Sequence, residues 1–202
     1  MTLQDLYREG IRKLTENEVP EAELNAWYLL QSCLSEEPFS YTRSRFFLEQ
    51  MEQAAPETIT LYMEKVSKRE EHIPLEYILG YTEFMGLTFL VREGVLIPRQ
   101  DTEILVEMAV EVSTGKRVLD LCTGSGCIGL SIAVCGNPKA VTLSDVSEEA
   151  IATAGQNERN LDKNGWKGRG ISPESSSVSI YGGLETIKSN FPSIGSHKFP
   201  SA

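Results

Sequence analysis

Apolar residues recur at helical spacing from Thr2 to about Ser67. Leu3, Leu6, Tyr7, Ile11 and Leu14 form one stripe, and Ala22, Ala26, Trp27, Leu30, Cys33 and Leu34 form another. The pattern predicts a helical bundle over residues 1–72 with four helices, whose aromatic residues serve as core. Pro20 and Pro56 fit first-turn positions, where a missing N–H costs nothing, and Ser40 is the expected cap of the segment holding Phe46, Phe47 and Leu48. Over residues 73–99 the period changes. Pro74 breaks the preceding helix, Gly80, Gly86 and Gly94 punctuate, and Phe84 to Val91 is rich in strand-forming types, which predicts a hairpin linking two domains.

Helical spacing resumes at Ile104, Leu105, Met108, Ala109 and Val112, with Asp101 or Thr102 as the expected cap and an end near Gly115. Two strand-turn-helix units follow, Arg117 to Leu121 into Gly126 to Val134 and Ala140 to Asp145 into Ser147 to Asn160. This alternation predicts an α/β fold with a parallel sheet over residues 100–164, with ligands bound at the carboxyl ends of the strands. After Asn164 the composition shifts to scattered Gly, Ser and Pro, so residues 165–202 read as an atypical, poorly ordered tail in which only Ser177 to Tyr181 has strand character.

Composition narrows the function. With 202 residues and 41% apolar types, a full fold would bury roughly 70% of the unfolded surface. A formal charge of -10 without a basic run disfavours direct nucleic-acid contact. No apolar stretch nears the roughly 20 residues of a membrane span, and the N-terminus lacks a basic-then-apolar signal, so the chain reads as cytoplasmic; a monomer is expected. Cys33, Cys122, Cys127 and Cys135 lack zinc-site spacing and read as reduced thiols, with no metal site expected. His72 and His197 are given no catalytic role.

Chemistry concentrates in Val118 to Gly129. An acid near the strand end, Asp120, precedes a Gly loop and a helix start. Gly124 and Gly126 let backbone approach a bulky ligand. Asp120 offers a carboxylate to a cationic amine, and Asp145, ending the second strand, offers two oxygens to the hydroxyls of an adenosine ribose, each such bond worth roughly 1.5 to 3 kcal/mol. Gly124, Gly126 and Gly129 also satisfy G-x-G-x-x-G with Asp145 downstream, so an NAD-dependent oxidoreductase is an alternative. Asp120 would oppose a pyrophosphate, and Cys122 and Thr123 delay the first Gly, which favours a methyl donor. A Gly turn that binds nothing is the third reading.

The stretch Ile73-Pro74-Leu75-Glu76-Tyr77-Ile78-Leu79-Gly80, then Glu83-Phe84, Gly86-Leu87, Phe89, Gly94-Val95-Leu96-Ile97-Pro98-Arg99 and Asp101-Thr102-Glu103, resembles the interdomain region of the HemK/PrmC family. The helical segment, the Asp120 to Gly126 loop and Ser144-Asp145-Val146-Ser147 fall in that family's order, so the resemblance runs from residue 1 to about 164. It implies a helical domain that docks peptide chain release factors, followed by a class I Rossmann-like methyltransferase domain. The implied reaction moves a methyl group from S-adenosyl-L-methionine to the side-chain amide of the glutamine in a Gly-Gly-Gln motif. By the same resemblance Cys122, Thr123, Gly124, Ser125 and Gly126 cradle the methionine part of the donor, Asp145 holds the ribose, and Arg99, Thr102 and Glu103 lie near the active site. Cys122 stands where Gly is common in the family, which restricts the backbone there.

An amide nitrogen is a poor nucleophile and must be held in line with the sulfonium methyl. In the family Asn-Pro-Pro-Tyr does this, and the 202 residues contain no such string. No catalytic residue is therefore assigned. The methyltransferase domain is expected to be incomplete and the chain inactive, with a frame change or truncation beginning near Asn164 and two strands in the sheet. A non-catalytic fragment that binds a release factor is the alternative reading.

Overall fold

The computed structural model describes residues 1–163 and 177–182. It divides the chain into two compact units, Met1–Tyr81 and Thr82 onwards. Each has its own apolar cluster.

In the first unit α1 (Leu3–Glu16), α2 (Ala22–Leu34), α3 (Arg43–Glu49) and α4 (Pro56–Glu70) form a bundle, with a short α5 (Leu75–Leu79) after it. Thr2 starts α1 with a capping box, its hydroxyl accepting from Asp5 N–H while the Asp5 carboxylate accepts from Thr2 N–H. Leu3, Leu6, Tyr7 and Leu14 are buried as the stripe predicts, and Ile11 is partly buried. Gly10 permits a close helix crossing, since a Cβ there would lie 1.9 Å from Tyr62 Oη. The cap of α3 is Thr42, not Ser40: Thr42 Oγ1 accepts from Arg45 N–H, whereas Ser40 bonds to Ser35 and to the Glu37 carbonyl. Pro56 opens α4 as predicted, but Pro20 lies outside α2, which starts after Glu21.

From the unit boundary onwards β1 (Tyr81–Phe84) and β2 (Leu87–Leu90) form a hairpin closed by Met85 and Gly86. Both turn residues have positive φ, 55° and 67°, the pairing that a two-residue turn needs to match strand twist. Phe84 and Phe89 are buried in the cluster of the second unit. Helix α6 (Asp101–Ser113) begins at Asp101 without a side-chain cap, so Asp101 and Glu103 act as first-turn acids instead. Its Ile104, Leu105, Met108 and Val112 are exposed.

The sheet consists of β3 (Arg117–Leu121), β4 (Ala140–Asp145) and β5 (Ser177–Gly182), all parallel in the order β3-β4-β5. Helices α7 (Cys127–Cys135) and α8 (Glu148–Lys163) make the crossovers and pack on the strands. The sequence reading expected two strands. The third is the Ser177 to Tyr181 stretch, whose alternating Val178 and Ile180 join the second cluster. The rest of the tail lies outside the described residues, as does His197. Among the described residues no helix is long and apolar enough to cross a membrane, and no His, Cys, Asp and Glu cluster suits a metal ion.

Candidate functional site

The loop between β3 and α7 is held from three sides. From the sheet, Thr123 N–H donates to the Ser144 carbonyl at 3.0 Å, so the first loop residues still follow β4. Beneath it, Asp120 Oδ2 accepts from Thr123 Oγ1 at 2.7 Å and from Gly129 N–H at 3.0 Å. From α8, Asn157 Nδ2 donates to the Ser125 carbonyl at 2.9 Å.

Asp120 is 9% exposed, and its oxygen is engaged with the loop and with the first turn of α7. Burial pushes its carboxyl above the usual range, the Thr123 hydroxyl and Gly129 N–H pull it back, and the charge of Asp145 raises it further. Gly129 is required here by space: a Cβ would lie 2.2 Å from Leu143 Cδ2 and 3.0 Å from Asp120 Oδ2. Gly126 is required by conformation, with φ 82° as it turns the chain into α7. Cys122 has φ 59° and is exposed. The family preference for Gly thus corresponds to a left-handed residue, which this chain supplies with a side chain.

Asp145 joins the second strand end to the loop. Its Oδ2 accepts from Gly124 N–H at 2.9 Å and its Oδ1 from Ser147 N–H at 3.0 Å. Each oxygen keeps a further lone pair for a hydroxyl. Ser147 Oγ accepts from Ala150 N–H, capping α8.

A cavity of about 380 Å³ opens beside this loop, lined by Leu96 to Arg99, Asp101, Thr102, Cys122 to Ser125, Cys127 and Ile128. That volume lies in the range of small-ligand sites, roughly 300 to 1,000 Å³. Ser125 lies in the cavity wall but is 2% exposed, and its hydroxyl bonds to the buried Cys127 thiol, partly offsetting the rise that burial causes there. A Cβ on Gly124 would meet nothing nearer than Val95 Cγ1 at 4.0 Å, so the backbone is bared toward the open space.

Of the residues predicted from sequence, Cys122, Thr123, Gly124, Ser125, Arg99 and Thr102 line the cavity. Asp120, Gly126 and Asp145 frame the loop that forms it. Glu103 faces the hairpin, where its Oε1 accepts from Met85 N–H at 2.6 Å. Asn157 was not predicted. It is fully buried, and besides Ser125 it binds the Leu90 N–H at 2.7 Å and the Leu90 carbonyl at 3.0 Å. The available signal was an amide at the same spacing as Ala150, Ala154 and Leu161 on the buried face of α8.

Residues 5–80 match the model of the PrmC N-terminal domain, and residues 98–192 match that of the methyltransferase small domain. The second match crosses Asn164, where the composition changes, and so extends beyond the stretch recognised from the motifs. Release factor glutamine methyltransferases are among the curated relatives. The one from Clostridium acetobutylicum is 46% identical over 104 residues, 50% of this chain and 36% of that protein. The one from Moorella thermoacetica is 36% identical over 165 residues, 80% of this chain and 56% of that protein. The one from Clostridium botulinum is 34% identical over 161 residues, 78% of this chain and 55% of that protein. The chain thus spans about a third to just over half the length of these three relatives.

The match over residues 98–192, on a parallel sheet with a Gly loop at its carboxyl edge and an acid ending the next strand, makes this a Rossmann-like methyltransferase domain, a class that takes its methyl group from S-adenosyl-L-methionine. Preceded by a PrmC N-terminal domain, it places the chain in the HemK/PrmC family.

Proposed function

We propose that this chain binds S-adenosyl-L-methionine beside Cys122 to Ser125 and serves methylation of the glutamine side-chain amide in the Gly-Gly-Gln motif of peptide chain release factors. The observation that supports the donor site is a cavity walled by the bared backbone of Gly124, whose N–H is tied to the carboxylate of Asp145. Asp145 would take the ribose hydroxyls on its remaining lone pairs, and Gly124 would let the methionine part lie against the backbone. The donor supplies the activated methyl group. Arg99 and Thr102, which also line the cavity, would then lie in the active-site vicinity. The helical unit docks the release factor, and the protein works as a cytoplasmic monomer without direct nucleic-acid contact.

These residues contain no Asn-Pro-Pro-Tyr to hold the amide, so the expected behaviour of this chain by itself is donor binding and docking without methyl transfer. Calorimetry with S-adenosylhomocysteine and with NAD tests the donor site. Binding of the first and not the second is expected, and absence of heat from the first with folded protein overturns it. Incubation with a release factor and methyl-labelled donor tests the rest: label on the glutamine would show that turnover needs no Asn-Pro-Pro-Tyr.

A further inference from the structure

The helical unit keeps most of its rings inside. Tyr7, Trp27, Tyr41 and Phe46 form an aromatic cluster with centroids 5.5 to 6.3 Å apart. Next to Phe46 the pattern reverses: Phe47 and Leu48 on α3 are 72% and 81% exposed, and Met51, in the turn after it, is 71% exposed. No other large apolar side chain described in this unit exceeds 54%, and Phe47 is its one exposed Phe, Tyr or Trp ring. Apolar groups gathered in the open do nothing for the fold and mark a surface that a partner covers.

Beside them stands a fixed cation. Arg43, one turn before Phe47, lays its guanidinium over the Trp27 ring at 4.1 Å and the Tyr7 ring at 5.6 Å, and its Nη1 donates to Tyr7 Oη at 3.0 Å. Arg45 is paired with Glu49, whereas among the described residues no carboxylate forms an ion pair with Arg43. Stacking orients the guanidinium in advance, so an incoming carboxylate meets a charge that is already ordered. The same side chain borders an open hollow of about 430 Å³, whose other wall is Glu21 to Leu24 where α2 begins. Glu21, Glu23 and Leu24 are all exposed there.

We infer that Phe47, Leu48 and Met51, with Arg43 at their edge, form the surface on which the helical unit seats the release factor. The inference rests on the docking reading above. Aromatic and Arg anchors carry most of the energy of protein interfaces, and here an open ring and an oriented guanidinium share one short helix. The complementary face of the release factor is apolar, with a carboxylate opposite Arg43 and a basic group opposite Glu21 and Glu23. Apolar contact supplies affinity, and the two signs of charge fix the register.

The test uses the whole chain and a peptide chain release factor, with binding read by calorimetry and S-adenosylhomocysteine affinity measured in parallel. Phe47→Asp with Leu48→Asp should lower release factor affinity by about tenfold or more, or about 1.4 kcal/mol. Its thermal melt and its S-adenosylhomocysteine affinity should stay parent-like, because both side chains lie outside the core. Leu61→Asp, exposed on α4, should bind the release factor as the parent does. Raising ionic strength should weaken the parent's binding more than that of Arg43→Gln. Undiminished affinity in the double variant, an equal loss in Leu61→Asp, or an equal salt response in Arg43→Gln overturns the inference and leaves docking itself standing. So does a double variant that loses self-association in sedimentation yet keeps its release factor affinity, which gives the face to a second copy of the chain. Failure of the folded parent to bind the release factor overturns the docking reading and this surface with it.

Discussion

The carboxylate of Asp120 is an internal strut. It holds the Thr123 hydroxyl and the Gly129 N–H, and its solvent exposure is 9%. Because burial raises its folded-state value above the unfolded one, near 3.8, the folded protein holds the proton more tightly than the unfolded chain. Its charged form therefore subtracts from stability: the penalty is absent below the unfolded value and grows as pH rises through the folded one. Asp120→Asn should flatten that part of the profile in urea titrations from pH 4 to 7. Asp120→Ala should destabilise at all pH values, because two donors lose their acceptor at roughly 1 to 3 kcal/mol each. Cys122 presents the opposite case. A side chain at φ 59° costs about 1 to 2 kcal/mol, while Gly costs roughly 0.5 to 1 kcal/mol in chain entropy. Cys122→Gly should raise stability by up to about 1 kcal/mol, and a fall would show the strain to be absorbed by contacts of the thiol.

At the scale of elements, α7 rests against β3 and β4 only because Gly129 has no side chain. Gly129→Ala forces Leu143 and Asp120 aside and should destabilise by about 1 to 3 kcal/mol, with donor affinity falling as the loop moves. Asn157→Ala strips partners from Leu90 and from the Ser125 carbonyl and should cost about 2 to 4 kcal/mol. Asn157→Asp keeps the acceptor and the shape but turns one oxygen on two carbonyls, so it should resemble Asn157→Ala in thermal melts; a parent-like melt would remove Asn157 from the loop's support. The elements themselves were largely legible. Periodicity gave the four N-terminal helices and the two strand-turn-helix units, and turn chemistry gave the hairpin. The α3 and α6 starts were misplaced because capping is decided by local geometry: Thr42, Ser40, Asp101 and Thr102 are equivalent in composition, and only one backbone arrangement places an oxygen on a free N–H. The cavity-lining part of the loop was legible because Gly punctuation is local. The support from Asn157 was not, since it joins residues 67 and 32 positions apart.

For the whole molecule, each unit has its own cluster yet leaves apolar side chains open: in the helical unit Phe47 and Leu48, expected as core, are exposed with Met51, and the second unit leaves an open flank. Ile104, Leu105, Met108 and Val112 are exposed at 55 to 63%, and among the described residues β3 is paired on one side only. Apolar stripes and open strand edges favour association as concentration rises. Light scattering should show it, and Met108→Lys with Val112→Lys should suppress it while helix α6 persists by circular dichroism. Unchanged scattering would place the sticky surface elsewhere.

Asn157 also bears on the order in which the molecule assembles. Its three bonds fasten the hairpin and the donor loop to a helix that emerges later from the ribosome, so the loop cannot take its final form until α8 has docked. Opening α8 releases the loop and the hairpin together, and the amides of Gly124, Gly129 and Leu90 should exchange with solvent as one unit. A nascent chain would then gain its affinity for the donor in a single late step.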